Sequence, residues 1–115
     1  MLSSSEYTIL IIDDEEILRE SIGGFLEDRD FNVIQGENGK VGIELFKKYS
    51  PDLVITDLRM PEVDGLEVLK TIHNISKDIP LIVISGTGRI EDSVEALRSG
   101  AWDYILKPVL DIHSV

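Results

Sequence analysis

Short apolar runs alternate along this chain with longer stretches in which apolar residues recur every three or four positions. Ile9-Leu10-Ile11-Ile12, Leu53-Val54-Ile55 and Leu81-Ile82-Val83-Ile84 are continuous rather than alternating, as expected of strands covered by helices on both faces. Phe31 to Ile34 alternates more and reads as a strand at a sheet edge, and Tyr104-Ile105-Leu106 forms a short fifth run. Ile17, Leu18, Ile22, Phe25 and Leu26 mark one face of a first helix, which should end near Asp28 to Asp30. Asn38 caps a second helix carrying Val41, Leu45 and Phe46, closed by Ser50-Pro51. Asp64 and Glu67 stand at capping-box spacing ahead of Leu66, Leu69 and Ile72, the core face of a third. Ile90, Val94, Leu97 and Ala101 trace the apolar stripe of a fourth, with Gly100 near its end. Strands and helices in alternation predict an α/β domain with a parallel sheet. Right-handed crossovers leave few topologies, and the flavodoxin-like doubly wound order 2-1-3-4-5 sets the first and third strands side by side.

Length and composition narrow the function. The 115 residues, 43% of them hydrophobic, suit one domain over 1–115 with its core at about 7–108. A net charge of −11 opposes binding to nucleic acid or an anionic membrane by this domain and favours a cationic ligand or a basic partner. With no cysteine, disulfides, thiolate zinc sites and thiol catalysis are excluded. Met1-Leu2-Ser3-Ser4-Ser5-Glu6 lacks a basic leader region, and no apolar run nears the roughly 20 residues of a membrane span. A soluble cytoplasmic protein is expected.

Chemistry enters where the apolar runs stop. The first ends in Asp13-Asp14, the third in Asp57, the fourth in Ser85 and the fifth in Lys107-Pro108. In parallel strands these groups gather at one sheet edge, where open α/β folds keep their ligands. Carboxylates so close repel unless a cation joins them, and an all-oxygen donor set points to Mg²⁺, or Mn²⁺, rather than zinc. Such an ion commonly shares its shell with a phosphoryl group. An aspartate can accept that group while metal and lysine neutralise the equatorial oxygens, so Asp57 is the candidate acceptor and Lys107 the candidate cation. Ser85 can donate a hydrogen bond to the group and Gly86 leaves room for it. Plainer readings serve other residues: Asp13 and Asp14 can cap the first helix, and Glu15, Glu16 and Glu20 read as its surface acids. His73 and His113 read as solvated, Trp102 as a packing aromatic.

Asp13-Asp14, Asp57 with Met60-Pro61 and Gly65 behind it, Ser85-Gly86, and Tyr104 three residues before Lys107-Pro108 resemble, in order and spacing, the receiver domain of two-component response regulators. The resemblance runs from about Tyr7 to Pro108. It implies that Asp57 takes a phosphoryl group from a phosphohistidine on a sensor histidine kinase or a phosphotransfer protein. It also implies direct Mg²⁺ ligation by Asp14, Asp57 and the backbone carbonyl of Arg59, with Asp13 acting through a water. Lys107 would pair with the phosphoryl group and Ser85 would move to bond it. Tyr104 would then turn inward and alter the face built from the fourth helix, fifth strand and fifth helix. Ser85 stands where the family more often has Thr, and Gly86 where it often has Ala. Two other readings are an interaction module that is never phosphorylated and an Mg²⁺-dependent hydrolase with an aspartyl-phosphate intermediate. Residues 109–115 read as the start of an incomplete fifth helix, with an output domain expected beyond Val115. A homodimer through the apolar surface left open there is a further expectation.

Overall fold

The computed structural model describes residues 6–107. The expected fifth helix and His113 lie outside the described residues. Five strands, β1 (Thr8–Ile12), β2 (Asn32–Gly36), β3 (Leu53–Asp57), β4 (Leu81–Ser85) and β5 (Asp103–Leu106), form one parallel sheet in the order β2-β1-β3-β4-β5. Four helices, α1 (Glu16–Glu27), α2 (Gly39–Tyr49), α3 (Gly65–Ile75) and α4 (Ile90–Arg98), make the crossovers. This is the predicted α/β topology, with β2 and β5 at the edges.

Side chains of a strand alternate between faces, and both faces of the central strands are covered. Leu10, Ile12, Val54, Leu81 and Val83 join Phe46, Val68, Leu69 and Ile72 in the main core, while Ile9 and Ile11 are buried with Leu18 of α1. Full burial of one such side chain stabilises the fold by about 1.5–3 kcal/mol. The predicted caps form. Asn38 Oδ1 accepts from Val41 N at 2.8 Å and Asp64 Oδ1 from Glu67 N at 3.2 Å, while Ser50 closes α2 in the left-handed conformation.

Two helices sit differently from the sequence reading. On α1, Leu18 is buried, but Ile17 and Phe25, expected on the same face, are 75% and 55% exposed. Adjacent helical residues are turned by about 100°, so docking Leu18 carries Ile17 outward. The Arg29 guanidinium covers the Phe25 ring at 3.5 Å. On α4 the apolar stripe faces out: Ile90, Val94 and Leu97 are exposed, and Asp92 and Ala96 are buried in their place. Two side chains also depart from expectation. Trp102 is exposed rather than packed. His73 is half-buried, not solvated, with its Nδ1 enclosed and unpartnered. It lies against Gly100, whose φ of +118° favours glycine and where a Cβ would come within 2.8 Å of the imidazole Cγ.

Candidate functional site

The register delivers the site. Ile12 pairs with Thr56, Asp57 with Ile84 and Ser85 with Leu106, so the residues ending four neighbouring strands lie along one edge. Asp13, Asp14 and Asp57 each bring a carboxylate oxygen to within 4.8 Å of the others. Asp13 and Asp57 are buried, and Asp14 is exposed. Lys107 crosses above them, its Nζ 3.1 Å from Asp57 Oδ2 and 3.4 Å from Asp13 Oδ2. Its backbone N–H donates to the Ser85 carbonyl at 2.7 Å, which ties the fifth strand's end to the fourth.

Ser85 is buried, and its Oγ accepts from Thr87 N at 3.2 Å. Asp57, Arg59, Ser85, Gly86, Thr87 and Lys107 border a cavity of about 270 Å³ with Glu15 on its rim. Tyr104 is half-buried, and its hydroxyl donates to the Thr87 carbonyl at 2.8 Å. The structure therefore brings together Asp13, Asp14, Asp57, Ser85 and Lys107, with Tyr104 one loop away. Arg59 adjoins through its backbone N–H, which donates to Asp57 Oδ1 at 3.4 Å.

Sequence reasoning missed two members, Thr87 and Glu15. Glu15, taken as a surface acid, places Oε1 2.5 Å from Lys107 Nζ. Asp13, Glu15 and Asp57 thus face one ammonium, with Asp14 beside them, an imbalance that suits a divalent cation. The acidic cluster Asp13, Asp14 and Asp57 fits the metal site of a receiver domain.

Burial is the main cause that pushes the Asp57 carboxyl up to about 6; the hydrogen bond from Lys107 opposes it and the charge of Asp13 adds to it. Burial likewise raises Asp13 against the pull of the Glu15 amide and Lys107. For Lys107, burial favours the neutral amine, but the bonds to Glu15 and Asp57 prevail and hold it above the ordinary lysine value. Because the Asp57 value in the fold lies above the ordinary 3.8, its protonated form favours the folded state. That contribution is complete below 3.8 and is lost as pH rises through about 6. With divalent ions removed, the unfolding free energy should fall by about 3 kcal/mol on that account between the two limits. Urea unfolding at a series of pH values measures the fall, which Asp57→Asn should flatten. An equal fall in that variant would assign the dependence to other groups.

Residues 9–113 match the family model described as the response regulator receiver domain. The chain belongs to that family. This receiver domain is 38% identical over 100 residues to the regulatory protein AtoC of Escherichia coli strain K12, a match covering 87% of this chain and 22% of AtoC. It therefore spans less than a quarter of that relative's length. Among solved structures it resembles a receiver domain protein of Clostridium thermocellum at 32% identity and TM-score 0.83, covering 90% of this chain and 83% of that one. It also resembles a Borrelia burgdorferi protein from a CheX-CheY-BeF3-Mg+2 complex, at 28% identity and TM-score 0.85, with 94% and 82% covered. Among the described residues no helix is long and apolar enough to cross a membrane.

Proposed function

We propose that this receiver domain is a cytoplasmic phosphoacceptor, taking a phosphoryl group onto Asp57 from a phosphohistidine of a sensor histidine kinase or phosphotransfer protein. One observation carries the reading: a buried carboxylate at a strand end borders a cavity shared with an ammonium and a hydroxyl, with two further carboxylates beside it. Asp14, Asp57 and the Arg59 carbonyl would hold Mg²⁺ or Mn²⁺, with Asp13 acting through a water. The ion would supply positive charge to the transferring phosphoryl oxygens. An Asp57 oxygen attacks the phosphorus in line, its new P–O bond forming as the P–N bond breaks and the electron pair returns to the donor imidazole. Lys107 exchanges its pair with Asp57 for one with a phosphoryl oxygen. The Ser85 hydroxyl rotates from the Thr87 amide toward another. That rotation removes a bond from the loop whose Thr87 carbonyl holds Tyr104, which is how the reading connects the site to the face of α4 and β5. The domain would then act on an output domain in a longer regulator, or on a second copy through that face.

Mg²⁺ supports the test because it relieves repulsion that the unfolded chain does not suffer. At 100 times its Kd the gain in stability should be about 2.7 kcal/mol. Thermal unfolding with and without Mg²⁺ should show the gain in the native protein and lose it in Asp14→Ala. An equal gain in that variant would place the ion elsewhere.

A further inference from the structure

α4 docks on its less apolar face. It buries Asp92 and Ala96 while Ile90, Val94 and Leu97 stay exposed, and its N-cap, Arg89, makes no side-chain capping bond. Burial of apolar surface alone would favour the opposite rotation, so something polar holds the helix as it is. The Asp92 side chain is only 9% exposed and pairs with Arg59, whose Nη2 lies 2.9 Å from Asp92 Oδ1. A carboxylate so enclosed is costly to leave without its cation. Arg59 Nη1 also reaches Asp64 Oδ2, at 3.5 Å, and Asp64 caps α3. At its other end Arg59 touches the acceptor itself, through the backbone bond to Asp57 Oδ1. One residue thus joins Asp57 to the first turn of α4 and to the cap of α3.

We propose that Asp92 is a positioning residue for the phosphoacceptor loop: through Arg59 it fixes the backbone beside Asp57, and by the same ion pair it docks α4 with its apolar stripe outward. The second half stands on geometry alone, while the first rests on the phosphoacceptor reading. Coupling between two sites is reciprocal in free energy. A ligand at Asp57 that shifts Arg59 alters α4 docking, and loss of Asp92 alters binding at Asp57. Asp92 does not line the cavity beside Asp57, so it acts there through Arg59.

Amide hydrogen exchange and ligand titration separate the two halves. In the protein without ligands, Asp92→Asn and Arg59→Ala should each speed α4 exchange about three- to tenfold, as expected for a partly exposed ion pair. The double variant should do no more than the larger single one, because both remove the same interaction. Glu91→Gln removes a neighbouring exposed first-turn charge and should speed α4 exchange by about twofold at most, which measures the share due to the helix dipole alone. Native exchange in Asp92→Asn, or additive effects in the double variant, would overturn the docking role. In the second arm Mg²⁺ with beryllofluoride serves as a phosphoryl mimic. Asp92→Asn should weaken its binding about threefold, and Glu91→Gln should not. Unchanged affinity in Asp92→Asn would overturn the coupling to Asp57 even if α4 loosens. Failure of the native protein to bind the mimic would instead defeat the phosphoacceptor reading and the coupling together, with the exchange arm still deciding the docking.

Discussion

Asp57→Asn is expected to leave the protein unlabelled under conditions in which the native chain takes up an acid-stable, hydroxylamine-sensitive phosphoryl group from acetyl phosphate and Mg²⁺. Three clustered carboxylates compete for the role, and their surroundings rank them. Asp13 Oδ1 is occupied by the Glu15 amide and Oδ2 faces Lys107. Asp14 is exposed and does not border the cavity that holds the lysine and the serine. Asp57 alone of the three borders the cavity lined by Ser85, Gly86 and Lys107, so an incoming phosphorus can approach it while both partners are in reach. An amide in place of the carboxylate keeps the shape and removes the nucleophile. Mass spectrometry of the intact protein reads the outcome, and peptide mapping after reductive trapping locates the group. Native-level label in Asp57→Asn would reject Asp57 as the acceptor.

Strand ends were legible because burial and chemistry coincide there. A run such as Leu53-Val54-Ile55 must be covered on both faces, so the first charged residue after it, Asp57, marks where the sheet reaches the surface. Four such endings give the edge, and the topology rules place β1 beside β3 without any contact being known. Side chains joined across long sequence distances were not legible. Glu15 looks like any acid in a first helical turn, and only Lys107, 92 residues away, turns it into part of the site. The outward stripe of α4 failed for the same reason. Its apolar spacing pointed to the core, and the competing bond from Asp92 to Arg59, 33 positions earlier, leaves no periodic trace. His73 was misjudged because Gly100, which lies against it, had been read only as the end of a helix.

Gly65→Ala should be among the most damaging single substitutions in this domain, and its damage should fall on the acceptor. Gly65 begins α3 directly beneath the end of β3, and its N–H donates to the Leu58 carbonyl at 2.7 Å. A Cβ there would overlap the Asp57 carbonyl oxygen and come within 2.6 Å of Leu58 Cα and 2.7 Å of Leu58 O. These are backbone atoms, so no rotamer change relieves the overlap. Leu58 is itself fully buried. Either the α3 entry or the backbone after Asp57 must move, at a cost of about 4 kcal/mol or more, above the usual range for an added methyl. Such a loss approaches the whole stability of a small domain. Denaturant unfolding measures the loss, and Mg²⁺ titration of whatever protein remains folded shows whether the acceptor has shifted. A loss below about 1 kcal/mol with native Mg²⁺ affinity would mean that the chain after Asp57 yields freely, and that the acceptor does not depend on the close approach of α3.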